Sequence, residues 1–187
     1  DDDGNVIPNL SVTGILASGV PGTVAGMWLA HQRHGSLPWE LLVQPAVTLA
    51  AEGFKVHPNL ARSIKRHVKR LERNGFALNF EKYFGAATEN ENFIQLELAE
   101  TLKRIRDHGR DGFYKGETAK IISDFMRREK GLITENDLLS YQAKVRTPIS
   151  AKWREFELLT SPPPSSGGIA IIQWLKMYDV LTKDQNR

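Results

Sequence analysis

Ser165 and Ser166 stand directly before Gly167 and Gly168, so two hydroxyls sit beside two glycines, residue types that acyl-transfer chemistry uses. A serine nucleophile also needs a base within hydrogen-bond reach. No G-x-S-x-G elbow surrounds these serines, and no histidine or acid is arranged near them in sequence. Capping of the helix that follows is the better reading, worth about 1 kcal/mol. His31 and His34, three positions apart, could share a helix face and bind a metal. No third ligand stands nearby, and the glutamate that H-E-x-x-H requires is absent, so an exposed helix end is the plainer reading. His57, His67 and His108 are isolated. The segment Ser18–Gly26 loosely suggests a phosphate loop entering a helix, but it lacks the Gly-Lys-Ser/Thr ending and the G-x-G-x-x-G spacing. A tight turn with close helix packing explains it better than nucleotide binding. No catalytic, cofactor-binding or metal-binding residue is assigned in this sequence.

Arg62, Lys65, Arg66, Lys69, Arg70 and Arg73 recur at helical offsets and form one basic stripe. Such a stripe suits a phosphate backbone or an anionic membrane. The plainer reading is the solvated face of an amphipathic helix. No aromatic residues interleave with it to stack on bases, which argues against nucleic acid.

Helices must position most of these residues. Val12–Leu16 reads as a short strand or an extended segment after a turn at Asp3-Gly4-Asn5. Pro21 sits where a helix begins, and Gly35-Ser36 ends it. A second helix starts at Leu37-Pro38 and runs to Gly53; Pro45 inside it should kink the helix or cost an interior hydrogen bond, which predicts a bend near Leu41. Asn59 caps a third helix through Arg73, with Leu60, Ile64, Val68 and Leu71 inward and Asn74-Gly75 as its stop. Residues 76–92 read as an exposed, irregular excursion. Helices follow over 93–108 and 117–128, and a compact one from Thr134 to Tyr141 opens with a capping box completed by Asp137. Residues 144–149 and 156–160 alternate as a β-hairpin turning near Lys152-Trp153-Arg154. Three prolines in Ser161–Gly168 then stop strand pairing, and a last helix spans 169–181.

With 187 residues, 41% apolar and 25% charged, the chain suits a single globular domain over 1–187. It contains no apolar run of about 18 residues. The absence of cysteine excludes disulfides, zinc–thiolate sites and cysteine nucleophiles. A net charge of +3 is too mild to point to nucleic acid.

Several segments in order carry a family resemblance: Ser18–Gly26, Gln44-Pro45-Ala46 through Gly53-Phe54, Gly112-Phe113-Tyr114-Lys115-Gly116, Gly131–Thr134, Asp137-Leu138 to Tyr141, Arg146–Ile149 and Ser161–Gly168. In this order and spacing the chain resembles an interior segment of the large subunit of the γ-glutamyltranspeptidases, also called glutathione hydrolases. The resemblance implies an N-terminal-nucleophile (αββα) hydrolase parent that cuts itself into two subunits. The new N-terminal threonine of the small subunit then attacks a γ-glutamyl amide, with glutathione as donor. It implies export to the periplasm or cell exterior and no cofactor. It also places the nucleophile, the carboxylate-gripping arginine and the substrate-binding serines and glycines outside these 187 residues; no Thr-Thr pair occurs here. The expected fold is therefore α+β, a predominantly helical fragment with one β-hairpin, inactive alone and prone to self-association. Two alternatives stand beside it: a helical anion- or membrane-binding module using the stripe at 62–73, and a relative acting on another γ-linked substrate.

Overall fold

Residues 4–6, 8–73 and 79–183 are described by the structure, a computed structural model of the chain. They divide into two units, Asp1–Ala143 and Lys144–Arg187. The first is helical: α1 (Thr23–His34), α2 (Trp39–Glu52), α3 (Pro58–Arg73), α4 (Phe80–Phe84), α5 (Leu96–His108), α6 (Asp111–Tyr114), α7 (Gly116–Arg128) and α8 (Glu135–Ser140). Its one described sheet pairs β1 (Phe54–Lys55) antiparallel with β2 (Asn92–Phe93), Phe54 opposite Phe93. The second unit is a hairpin, β3 (Ile149–Trp153) and β4 (Phe156–Thr160), followed by α9 (Gly167–Lys183). The mainly helical α+β class with a hairpin is the one expected from the sequence.

Two clusters make the core of the first unit. Ala25, Tyr114, Ala119, Met126, Ile133 and Leu138 pack together, with Val20, Val24 and Tyr141 against them. Val56, Ile64, Ala87 and Phe93 form the other, sealed by Ala61, Val68, Phe80 and Phe84. α2 lies along α5, where the buried Trp39 donates its indole N–H to the Ile105 carbonyl at 2.8 Å. A buried indole needs such a partner, and this one fixes the two helices in register.

The sequence expectation fails at several boundaries, each for a local reason. Val12–Leu16 is not a strand: the Val12 and Thr13 amides donate back to the Asn9 carbonyl, and Ile15–Ala17 closes as a 3₁₀ turn. α2, by contrast, runs to Glu52 through Pro45 as expected, and Pro45, on its exposed side, has no N–H to offer the Leu41 carbonyl. His57 rather than Asn59 caps α3: its carbonyl accepts from Leu60 and Ala61, and its Nδ1 accepts the Asn59 amide at 3.2 Å. Pro58 then occupies the first helical position, where a missing N–H costs nothing. Residues 79–92 are mostly exposed, as expected, but not irregular throughout: they include α4, and Phe80, Phe84 and Ala87 anchor them on the inner face of α3. α5 begins at Leu96, since Phe93 is drawn into β2 and the Gln95 amide donates to the Ala50 carbonyl. Asp3 of the expected first turn, the stop at Asn74-Gly75 and residues 76–78 lie outside the described residues.

The hairpin is also shifted. Its first strand starts at Ile149, just after Pro148, which could not donate to the ladder. The turn is two residues, Arg154-Glu155, with Trp153 opposite Phe156. Arg154 sits at φ +54°, an uncommon conformation for a residue with a side chain. Its guanidinium spans the Trp153 ring and contacts Asp179 of α9 at 3.3 Å.

Candidate functional site

The loop at Ser18–Gly26 ends at Gly22, which precedes α1 and has no side chain with which to cap it. A helix start leaves amide groups unpaired, and the third of them here, Ala25 N–H, is buried. Tyr114 supplies the missing acceptor from 89 residues away: its hydroxyl accepts from Ala25 N–H at 3.2 Å. The same hydroxyl donates to the Pro21 carbonyl at 2.6 Å. One side-chain oxygen therefore holds both the loop and the first turn of α1.

Tyr114 is itself fixed on two sides. Tyr141 stacks on its ring at 5.6 Å with an interplanar angle of 5°. The Arg110 guanidinium lies over the ring at 4.8 Å and donates to the carbonyls of Leu139 at 3.1 Å and Tyr141 at 2.6 Å. Gly22 is required by the same contact, because a Cβ there would overlap the Tyr141 hydroxyl. Gly19 and Gly26 face open space, so the close packing expected of this loop holds at Gly22 and not at those two. Burial raises the Tyr114 pKa above its ordinary value, against the lowering effect of the Ala25 bond. α8 behind it starts with the expected capping box, Thr134 and Asp137 bonding reciprocally. The Thr134 hydroxyl and amide hold the Asp137 carboxyl below the usual range.

In the second unit the strand–helix junction is built by close approach. Gly168 is buried, and a Cβ on it would stand 2.6 Å from the Ser161 carbonyl oxygen and 2.6 Å from the Thr160 hydroxyl. Gly167, by contrast, meets only the Ser165 hydroxyl, at 3.8 Å. The Ser166 carbonyl accepts the Ala170 amide, the first intrahelical bond of α9, which puts Ser166 at the helix start.

The other residues singled out in the sequence take ordinary roles. His31 stacks on Trp28 and meets Trp39 edge-on, and its Nε2 lies 2.8 Å from the Leu37 carbonyl. A carbonyl only accepts, so Nε2 carries the proton and Nδ1 is left facing the interior. His34 is exposed. Among the described residues no group of three or more His, Asp or Glu is placed to hold a metal. A cleft of about 840 Å³ is bordered by Tyr83, Leu96, Glu100, Thr101, Arg104 and Ile121. Arg104 is already engaged there, donating to the hydroxyls of Thr118 at 2.8 Å and Thr101 at 3.1 Å. No serine or threonine in these sites is paired with a histidine base. The geometry describes two rigid supports, one for the loop at 18–26 and one for the junction at 158–170.

The family model of γ-glutamyltranspeptidase matches residues 1–187. The chain belongs to the γ-glutamyltranspeptidase family. It is 47% identical over 175 residues to the glutathione hydrolase proenzyme of Pseudomonas aeruginosa, covering 94% of this chain and 31% of that protein. With the glutathione hydrolase proenzyme of Escherichia coli it shares 41% identity over 182 residues, 96% of this chain and 31% of the other. The solved γ-glutamyltranspeptidase of Pseudomonas nitroreducens superposes with a TM-score of 0.89 at 45% identity, covering 98% of this chain and 54% of that one. The chain thus spans about a third of the length of these curated γ-glutamyltranspeptidase relatives. Among the described residues no helix is long and apolar enough to cross a membrane.

Within that family frame, sequence reasoning quoted Tyr114 and Tyr141 inside matching segments but missed their task. A bond across 89 residues leaves no periodicity to read. The one local signal was a helix start preceded by Pro21-Gly22, with no capping side chain of its own.

Proposed function

We propose that this chain is scaffold from the large subunit of a γ-glutamyltranspeptidase precursor. The parent transfers or hydrolyses the γ-glutamyl group of glutathione and related compounds, in the periplasm or outside the cell. Its nucleophile is the N-terminal threonine of a small subunit released by self-cleavage, and its own amine serves as the base. These 187 residues shape the cleft and are inactive alone. Family membership across residues 1–187 carries the reading, and the absence of any Thr-Thr pair supports its second half. The test uses γ-glutamyl-p-nitroanilide. The purified 187-residue chain is expected to release no p-nitroaniline, while the precursor extended through its downstream coding region cleaves itself and does. Turnover by the chain alone, or an extended precursor that neither cleaves nor turns over, overturns the proposal.

α9 supports the same reading. Its inner face, Ile172 and Leu175, packs by the hairpin residues Ala151, Trp153 and Leu158. Its outer face is apolar as well, with Trp174 67%, Val180 67% and Leu181 73% exposed. Over residues 169–181 only Gln173, Lys176 and Asp179 mark a polar side, and an exposed apolar surface of this kind belongs against a further part of a larger body. In the isolated chain, a second copy covers this face, and light scattering is expected to show mass rising with concentration. A monomer across a wide concentration range counts against that expectation.

A further inference from the structure

The stripe on α3 has more structure than a solvated face requires. Arg62, Lys65, Arg66, Lys69, Arg70 and Arg73 are all exposed. At about 100° per residue they fall within an arc of about 140° on the helix. Among the described residues none of the six is in an ion pair, whereas Arg106, Arg110, Lys115, Arg127 and Arg128 each have a carboxylate partner. Without these six, 19 basic side chains stand against 22 acidic ones, so the net positive charge of the chain comes from this one face.

The two flanks of the stripe differ. On one side Arg62, Lys65 and Lys69 border a groove of about 570 Å³ that Glu72, Glu81 and Glu89 also line. On the other, Ser63, Arg66, His67 and Arg70 border a groove of about 480 Å³ closed by Ile64 and Phe80, with no carboxylate in its lining. In the first groove three cations are balanced by three carboxylates, whereas the second has an uncompensated positive charge that draws anions. The opposite face of α3 is already spent, since Ala61, Ile64 and Val68 pack into the core. The helix therefore has no apolar face to insert into a bilayer.

We infer that α3 is a binding site for a linear polyanion, seated along Arg66, Arg70 and Arg73, the row of the stripe that keeps clear of the acidic groove. These three span about 10 Å at 1.5 Å per residue, room for several closely spaced phosphate or sulfate groups. The site is independent of γ-glutamyl chemistry.

The test measures binding of the 187-residue chain to inorganic polyphosphate and, in a second arm, to heparin, over a salt series. Three contacts predict a log–log salt slope of about −2.1 if the coefficient for a single-stranded phosphate chain applies. Arg66→Gln/Arg70→Gln is expected to lower affinity at least tenfold at about 0.1 M salt and to bring the slope to about −0.7. Arg62→Gln/Lys65→Gln removes the same charge from the acidic flank and is expected to change affinity less than threefold. Glutamine is a good helix former, so circular dichroism of both variants should match the parent chain. Tighter binding in the first arm assigns phosphate, and in the second sulfate. Equal losses in the two variants, no binding at low salt, or stronger binding to phosphatidylglycerol vesicles than to either polymer overturns the inference.

Discussion

Replacing Gly112 by alanine lowers the thermal midpoint by about 6–12 °C, the shift that about 3 kcal/mol produces in a chain of this size. Gly112 is buried in α6, directly against α5. A Cβ at this position would overlap the Arg104 carbonyl oxygen and carbon and stand 2.8 Å from the Ile105 amide nitrogen. All three are backbone atoms, so no side chain can swing aside, and two helices must separate instead. The separation would strain further bonds at the same place. The Gly112 carbonyl accepts from the Thr118 hydroxyl at 2.7 Å, and that hydroxyl accepts from Arg104 at 2.8 Å. Gly26→Ala gives the contrast. Nothing lies within 4 Å of a Cβ there, and α1 gains about 0.5–1 kcal/mol from losing an interior glycine. Differential scanning calorimetry of the two variants decides the matter. A Gly112→Ala midpoint within 2 °C of the parent, about what 1 kcal/mol would cause, sinks the close-approach argument.

The same contrast separates what could be read in the chain from what could not. The helices α1, α7 and α8 were legible because their signals are local: a glycine after α1, apolar residues at 3–4 spacing in α7, and Thr134 with Asp137 in α8. Residues 79–93 were read only in part because their pattern is weak, and their place is set by distant partners. Phe93 is buried by pairing with Phe54, 39 positions earlier, and Phe84 by the inner face of α3. The hairpin was recognised as a hairpin yet placed four to five residues early in its first strand. Alternation alone does not mark where pairing begins, whereas Pro148 does.

Glycines make the point more sharply. Ser18–Gly26 holds three of them and Ser161–Gly168 two, and the sequence offers no ground for ranking them. The structure does: Gly22 meets Tyr141 and Gly168 meets Thr160 and Ser161, while Gly19, Gly26 and Gly167 have room for a methyl group. Close approach is a property of the neighbour, and the neighbour of Gly22 is 119 residues away. The support for the loop was hidden for the same reason, although its residues lay in plain view within Gly112–Gly116 and at Tyr141.

That support makes Tyr114→Phe the second large effect, a loss of about 2–3 kcal/mol for the removal of a single oxygen. Phenylalanine keeps the stacking on Tyr141 and the Arg110 contact, so packing is preserved. What disappears is the acceptor for Ala25 N–H, which is buried and has no other partner among the described residues. The Pro21 carbonyl loses its donor too, at lower cost, because Pro21 is exposed. The hydroxyl also carries a pH signature. Burial raises its pKa in the folded chain, so the neutral form is favoured there. The stabilisation is complete below the ordinary tyrosine pKa of about 10 and is lost as pH rises through the higher folded value. On ionisation the oxygen can no longer donate to Pro21, and a charge is left in the core. Urea titrations from pH 7 upward should therefore show parent and variant converging at alkaline pH, with the gap widest near neutrality. Two parallel curves would mean that the hydroxyl does not titrate against this site. Coincident curves throughout would mean that α1 is capped by something other than Tyr114.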